Sequence, residues 1–557
     1  MTNYDNPLIV QSDHTVLLEV ASPKAGDARA SLARFAELEK SPEHVHTYRI
    51  TPLSLWNAAS AGVDAGDVGD TLTAYSKYPV PESVLVDIRD QMSRYGRLRI
   101  VRDFDSGGLA LTTPEPALLA EVTRDRAVAG LVGERLDGNR YAVRLGDRGP
   151  LKQALLRLGW PAADEAGYVE GDPLDVELTC SLRTYQSDAV AAWWADGSAA
   201  GGNGVLVLPC GAGKTVIGLA AMAQAGVHTL IVATSILAAR QWIGELKAKT
   251  ALDHGLIGEY SGDRKDIRPI TVATYQVLTW RRPDAAEDAE LEEAHPHLRL
   301  FNTRQWGLVV YDEVHLLPAP VFRATAQIQA VRRLGLTATL VREDGKEPDV
   351  FSLIGPKRYD APWRELEAQG WIAPATCTEV RVDLGDEERM TYAVAPTQAR
   401  YRIAACTPAK LAVLDRLVAE HAGDRVLVIG QYLDQLKDVA QRLDAPLVTG
   451  QTSQAVREQR FADFREGRLR LLVVSKVANF SIDLPEANVA IQLSGAFGSR
   501  QEEAQRLGRI LRPKADGGQA SFYTVVARET IDQTYAANRQ RFLTEQGYAY
   551  TILDADP

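Results

Sequence analysis

Short apolar runs recur along this chain in two separate series, with helical spacing between them. The first series is Val205 to Leu208, Leu230 to Ala233, Ile270 to Ala273, Leu308 to Tyr311 and Arg333 to Leu336. The second is Val426 to Ile429, Leu471 to Val474, Val489 to Leu493 and Phe522 to Val526. Runs of this length between helical segments predict strands covered on both faces, so each series predicts a parallel sheet with helices on either side. The N-terminal third reads differently. Leu8 to Val10 and Thr15 to Val20 are two short strands joined by Ser12-Asp13-His14. Thr51 before Pro52 predicts a capped helix that ends at Gly62. A second helix starts at Pro81, carries Val84, Leu85, Ile88 and Met92 on one face, and stops at Gly96. Leu98, Ile100, the turn from Asp105 to Gly108, and Leu109 and Leu111 then alternate like a hairpin. Helices followed by a hairpin suggest a winged-helix-like unit. A further small unit follows, with a strand from Tyr141 to Leu145, a helix from Leu151 to Leu158 and Gly/Pro/Asp-rich exits.

Composition narrows the class. A chain of 557 residues with 45% hydrophobic and 24% charged residues is ordinary globular protein, and its length predicts about three to five domains. The four cysteines, Cys180, Cys210, Cys377 and Cys406, are too far apart for a zinc ribbon or a disulfide framework, which argues for a reducing cytoplasmic setting. No apolar run approaches the ~18 residues of a membrane span, and no basic-then-apolar leader is expected. A net charge of −11 weighs against electrostatic coating of nucleic acid, while leaving room for one local groove. Arg94, Arg97, Arg99 and Arg102 flank the hairpin and suit either phosphate contact or a solvated face; His44 and His46 read as structural.

The chemistry is concentrated in the first series. Its first strand runs into Pro209-Cys210-Gly211-Ala212-Gly213-Lys214-Thr215 and then a helix. Backbone N–H groups of such a loop converge on an anion at a helix N-terminus, Lys214 suits the β- and γ-phosphates, and the Thr215 hydroxyl suits magnesium. The first glycine of the usual pattern is replaced by Leu208. The strand from Leu308 ends in Asp312-Glu313-Val314-His315, a carboxylate pair suited to metal-assisted phosphoryl transfer: Asp312 for Mg2+ through water, Glu313 to orient and deprotonate the attacking water. Upstream, Arg183 and Gln186 sit in LRTYQ, where the Gln186 amide has the donor and acceptor to read adenine. Thr337-Ala338-Thr339, the stretch Thr234 to Trp242 with Arg240, and Thr274-Tyr275-Gln276 follow strands, on the edge where open α/β sheets bind ligands. They are candidates for sensing the nucleotide and gripping a sugar-phosphate backbone. In the second series, Gln505, Gly508, Arg509 and Arg512 form Q-x-x-G-R-x-x-R, with arginines on one helix face suited to a triphosphate across a cleft.

LPCGAGKT, DEVH, LTAT and QRLGRILR, in that order over two sheets, resemble superfamily 2 helicases. PLIVQSDHTVLLEV, HVHTYRITPLSLWNAASAG, Arg342-Glu343-Asp344 and FSLIGPKRYDAPW narrow the resemblance to XPB in its bacterial branch, over nearly the whole chain. The resemblance implies two RecA-like parallel-sheet motor domains, an α/β class, preceded by small α+β domains. The expected divisions are 1–118, a damage-recognition-like 119–178, 179–365 and 366–557, with a thumb-like insertion near 385–402. It implies an ATP- and Mg2+-dependent 3′→5′ DNA helicase or translocase associated with nucleotide-excision repair. Its expected substrate is a single-strand/duplex DNA junction, with a repair nuclease or other repair proteins as partners and no membrane. The Arg342-Glu343-Asp344 loop is implicated in strand separation and Asp483 in nucleotide contact. A double-strand translocase that unwinds poorly, and a non-hydrolysing scaffold, are the alternatives.

Overall fold

The computed structural model describes residues 3–41, 44–103, 107–209, 211–286, 289–329, 331–338, 346–360, 366, 375–475, 487–495, 520–545 and 549–555. Strands β1 (Leu8–Val10), β2 (Thr15–Glu19), β3 (Glu37–Lys40) and β4 (Val45–Arg49) form an antiparallel sheet in the order β1-β2-β4-β3. Val16, Leu18 and Tyr48 from this sheet pack on Leu55, Val68, Leu72, Val84 and Ile88 of the helices Pro52–Ser60, Ala65–Tyr75 and Glu82–Arg94. Thr51 caps the first of these helices as expected: its side chain accepts from the Ser54 N–H at 3.0 Å while its own N–H donates to Ser54 Oγ at 3.0 Å.

The hairpin does not complete a winged helix. β5 (Arg99–Arg102) and β6 (Leu109–Thr112) pair with each other, β6 also with β7 (Arg140–Val143), and β5 with β8 (Ala163–Glu165), giving the order β7-β6-β5-β8. A boundary at 118/119 would cut this sheet. The hairpin joins the second unit because both of its edges find partners there, whereas a lone hairpin would leave a row of N–H and C=O groups unpaired. Three of its four flanking arginines are engaged locally. Arg94 and Arg97 lie 5.1 and 5.9 Å from the Trp160 ring centroid, Arg94 pairs with Asp90, and Arg99 lies 3.8 Å from Glu165.

The next seven strands are β9 (Asn203–Val207), β10 (Thr229–Ala233), β11 (Ile257–Tyr260), β12 (Ile270–Thr274), β13 (Leu308–Asp312), β14 (Arg332–Thr337) and β15 (Lys357–Asp360). They form one parallel sheet in the order β11-β12-β10-β13-β14-β9-β15. Every residue of β10 and β12 is buried, as a doubly covered sheet requires. One face packs on Trp193, Ile217 and Trp242, the other on Phe301, Trp306 and Phe322. A second parallel sheet contains β16 (Ala375–Val382), β17 (Val426–Gly430), β18 (Leu447–Val448), β19 (Leu471–Ser475), β20 (Val489–Gln492), β21 (Ala520–Ala527) and β22 (Ala549–Asp554), ordered β18-β19-β17-β20-β21-β16-β22. Residues 385–402, expected to be an insertion, form most of a pair of helices, Asp386–Val394 and Thr397–Ala405. The architecture is therefore two RecA-like α/β domains preceded by small α+β units.

The N-terminal units are docked on the first parallel sheet domain. Trp56, Leu156 and Phe351, one from each body, form a shared apolar cluster. Gly149 meets Ala326 so closely that a Cβ there would lie 2.5 Å from the Ala326 carbonyl oxygen. Gln153 donates to Asp349 Oδ1 at 2.6 Å.

His46 on β4 gives this fold a pH dependence. The ring is buried and its Nδ1 has no partner among the described residues; burial first, and the Arg29 charge second, hold its pKa down at about 4. The unfolded chain takes that proton near pH 6.5 and the folded chain only near pH 4, so this contribution to stability is complete above pH 6.5 and is lost as pH falls toward 4. His46→Leu should flatten the fall in urea midpoint of the full chain between pH 7 and pH 4.5. Parallel pH profiles for the two proteins would contradict the assignment.

Candidate active site

β9, β13 and β14 end on one edge of the first parallel sheet, so the glycine loop, Asp312-Glu313 and Thr337 are brought together by topology. Leu208 fits the position where the pattern has glycine. Its N–H donates to the Thr337 carbonyl at 2.9 Å, extending the β9–β14 ladder, and its side chain is wholly buried in the core. Gly211 and Gly213 have φ of +83° and +78°, which side-chain-bearing residues rarely adopt. Gly213 caps the helix Lys214–Ala225, and a Cβ there would lie 2.7 Å from Gln186 Nε2.

LRTYQ holds this loop from behind. Tyr185 Oη and Gln186 Nε2 both donate to the Ala212 carbonyl, at 2.7 and 3.2 Å, while Gln186 Oε1 accepts from the Arg183 N–H at 3.0 Å and Arg183 Nη1 reaches Tyr185 Oη at 3.2 Å. Gln186 is 4% exposed. Its amide therefore does not stand as an open edge for a base: in this structure each end of it is spent on the loop and the helix start.

Lys214 Nζ donates to Glu313 Oε1 at 2.5 Å, with both side chains only 14% exposed. Asp312 Oδ2 accepts from the Trp242 indole N–H at 3.0 Å, and the Asp312 backbone carbonyl accepts from Tyr275 Oη at 3.0 Å. Glu313 has φ of +50°, a left-handed conformation costing a non-glycine residue on the order of 1–3 kcal/mol. His315 Nδ1 lies 2.7 Å from Thr337 Oγ1 and 3.6 Å from Glu313 Oε2, joining the carboxylates to β14. Burial and then the Glu313 charge raise the Asp312 pKa above the ordinary carboxylate range. Burial also works against ionised Glu313, but Lys214, His315 and hydrogen bonds outweigh it and hold Glu313 low. Two buried carboxylates in conflict make a setting that a cation relieves.

Three stretches match known families: residues 179–342 match "Type III restriction enzyme, res subunit", 366–556 match "ERCC3/RAD25/XPB C-terminal helicase", and 8–137 match "Helicase conserved C-terminal domain". The chain is 60% identical over 555 residues to the "DNA 3'-5' helicase XPB" of Kineococcus radiotolerans, covering 99% of this chain and 97% of that one. The chain belongs to the XPB family of DNA helicases. It is also 31% identical to the "General transcription and DNA repair factor IIH helicase/translocase subunit XPB" of Drosophila melanogaster, over 99% of this chain and 78% of that one. Among solved structures, the Pyrococcus furiosus Hef helicase domain aligns at TM-score 0.43 and 15% identity, over 64% of this chain and 97% of that one. The chain is thus an ATP-dependent DNA helicase, and no helix among its described residues is long and apolar enough to cross a membrane.

Several residues expected at the XPB-type site are placed otherwise by the structure. Thr274 is buried and its hydroxyl accepts from the Val277 N–H at 3.3 Å, so it caps the short helix Tyr275–Leu278 and is not presented to a DNA backbone. Arg240 is half exposed but held by Asp263 at 2.7 Å and Glu259 at 3.5 Å, a surrounding unfavourable to phosphate. Thr234 is half-buried at the end of β10, beside Ser235, which caps the helix Ile236–Lys249. Cys210, Thr339, Arg342, Glu343, Asp344, Asp483, Gln505, Arg509 and Arg512 lie outside the described residues.

The sequence reading missed the part played by Trp242 and Tyr275, two side chains that donate to Asp312. A signal was present. Gly218 interrupts an otherwise apolar helix, and a mid-helix glycine marks a close approach; here a Cβ would lie 2.4 Å from Trp242 Cη2.

Gly213→Ala should weaken nucleotide binding by about tenfold or more, because the new Cβ meets Gln186 and the backbone is left-handed there. Titration with a fluorescent nucleotide checks this. Binding within twofold of wild type would show that the loop is free to rearrange away from Gln186.

Proposed function

We propose that this chain couples Mg2+-dependent ATP hydrolysis to 3′→5′ movement on DNA and to strand separation in nucleotide-excision repair. The observation that supports it best is the Lys214–Glu313 ion pair beside Asp312 at the mouth of the glycine loop. In this reading, a triphosphate in the loop offers Lys214 a more highly charged partner than Glu313. Glu313, held in its ionised form, is then released to orient and deprotonate water. Arg183 and Gln186 act through the loop carbonyl that their segment holds.

The residues present suit a magnesium ion. No cluster of three or more Cys, His, Asp or Glu among the described residues could hold a metal by itself, and magnesium typically uses one or two protein oxygens together with phosphates and water. Asp312 and Thr215 would supply those oxygens, and the ion would neutralise charge on the transferred group. Arg509 and Arg512 are proposed to complete the site from the second domain, with Gln505 alongside and Asp483 near the nucleotide. Arg342, Glu343 and Asp344 are proposed to act at the strand junction. The repair role and the translocase activity are carried by the name of the Drosophila relative, and repair proteins such as a nuclease are the partners this role implies. The four divisions of the chain serve this reading once the second unit is extended back to include β5 and β6.

Two substitutions separate binding from chemistry. Lys214→Ala should weaken nucleotide binding by about tenfold or more, whereas Glu313→Gln should bind within a few-fold of wild type and lose about 10²- to 10⁴-fold in kcat. DNA-stimulated phosphate release alongside nucleotide titration measures both. Wild-type turnover by Glu313→Gln would remove it from the chemical step. Strand-displacement and triplex-displacement assays on the wild-type chain then distinguish unwinding from translocation alone.

Arg512→Ala should lower DNA-stimulated kcat by about 10³-fold or more with nucleotide affinity little changed, as loss of an arginine finger does. Unchanged kcat would leave that helix as a basic surface.

A further inference from the structure

The segments that follow β10 and β12 leave the first parallel sheet at its ligand edge. Each sends an aromatic side chain inward to the same residue. Trp242, seven residues into the helix Ile236–Lys249, donates its indole N–H to Asp312 Oδ2 at 3.0 Å. Tyr275, the first residue of Tyr275–Leu278, donates its hydroxyl to the Asp312 carbonyl at 3.0 Å. Both rings are nearly out of solvent, at 2% and 4% exposure. We propose that Trp242 and Tyr275 are positioning residues that fix the Asp312 carboxylate for the metal-nucleotide and make its orientation depend on the two segments after β10 and β12. The proposal rests on the reading of Asp312 as the magnesium carboxylate.

Three features carry it. The first is the pairing itself. A buried indole N–H normally finds a partner, and a backbone carbonyl would satisfy it. Here it is spent on an ionisable carboxylate, a charge-assisted contact that prevents free rotation of the carboxylate plane. The second is the fit of the ring. Gly218 lies in the helix that begins at Lys214, and its missing side chain is what admits Trp242. The indole is therefore pinned between the phosphate-loop helix and β13. The third is the double attachment. Tyr275 holds the Asp312 main chain while Trp242 holds its side chain, so a shift of either segment changes the carboxylate's aim. Thr274 is spent on capping the Tyr275 helix, which ties that helix to the end of β12. Outer-sphere donors of this kind typically change metal affinity by about 10- to 100-fold when removed.

The test uses the full-length chain with Trp242→Phe, which keeps a buried ring and deletes the donor, and Tyr275→Phe, which deletes one hydroxyl. Circular dichroism establishes that each folds. The first readout is the ratio of ADP affinity in Mg2+ to that in EDTA, with Mn2+ binding in the presence of ADP followed by electron paramagnetic resonance. The second is the ratio of DNA-stimulated to basal ATP hydrolysis. Trp242→Phe should lower the metal-dependent ratio and Mn2+ affinity by about tenfold, with ADP affinity in EDTA within twofold. Tyr275→Phe should move the same quantities in the same direction, and both should lose DNA stimulation. A purely structural role would lower thermal stability and leave the metal-dependent ratio alone, which would overturn the proposal. Asp312→Asn is the control. If it leaves the metal-dependent ratio and Mn2+ binding unchanged, the reading of Asp312 itself fails; if it abolishes them while the folded aromatic variants match wild type, only the positioning proposal fails. Should Trp242→Phe not fold, Tyr275→Phe alone decides.

Discussion

Two opposite charges, Lys214 and Glu313, meet at the C-terminal edge of a parallel sheet, and their need for each other organises the surrounding structure. Removing one member of such a buried pair typically costs about 3–5 kcal/mol, because the other is left uncompensated. The pair is reachable only because β14 separates β9 from β13 by one strand, which puts the loop and the acidic turn side by side. It also makes the strained Glu313 backbone tolerable: the left-handed residue turns its carboxylate toward Lys214 and His315. The same pairing holds Glu313 in its ionised form. On the function proposed above, a satisfied pair of this kind is also one that a triphosphate can open by competing for Lys214.

Much of this was legible in the sequence because the chemistry dictates residue types at strand ends. Gly213-Lys214-Thr215 and Asp312-Glu313 each follow an apolar run, and their order places them on one edge. What escaped was decided by tertiary contacts. β15 reads KRYD and β16 reads ATCTEVRV, polar enough to look like loop, yet β15 closes one edge of its sheet and β16 lies between β21 and β22. Their polar groups are accommodated singly, as where buried Glu379 pairs with Arg381 and Tyr550. The alternation from Leu98 to Leu111 shows a hairpin but not that it joins the second unit and leaves the expected winged-helix-like one, since alternation reports a strand and not its neighbour. Gln186 shows the same limit in chemistry. Its side chain has the donor and acceptor for a base, and only the folded chain shows both facing the loop and the helix start.

The second N-terminal unit packs at the start of β14, the strand that ends beside the acidic turn. Arg333, at the start of that strand, is wholly buried; its Nη1 donates to the Gln329 and Val331 carbonyls, and its guanidinium lies 5.8 Å from the Tyr168 ring centroid. Nearby, Arg148 and Lys152 both bind Asp164, each at 2.8 Å. Two buried cations thus share one buried carboxylate, with the buried Arg333 charge close enough to interact with it. Burial lowers the Lys152 pKa most, Asp164 opposes that, and repulsion from Arg333 and Arg148 adds to it, leaving it at about 7. Asp164 stays ionised, because attraction to Lys152 and Arg148 overcomes its own burial cost.

Such a cluster is a poor way to gain net stability, since desolvating several charges offsets most of their attraction. Its consequence is geometric. Arg148 is fixed by Asp164 through two nitrogens and by the Gly167 carbonyl, so the helix carrying it cannot slide without stranding a charge. That helix packs on Ala326 through Gly149 and on Asp349 through Gln153, the two sides of the segment that contains β14. β14 is only six residues long, from Arg332 at the docked end to Thr337, whose hydroxyl meets His315 beside Glu313. The second N-terminal unit and the carboxylates thus stand at opposite ends of one short strand, which is paired with β13 on one side and β9 on the other.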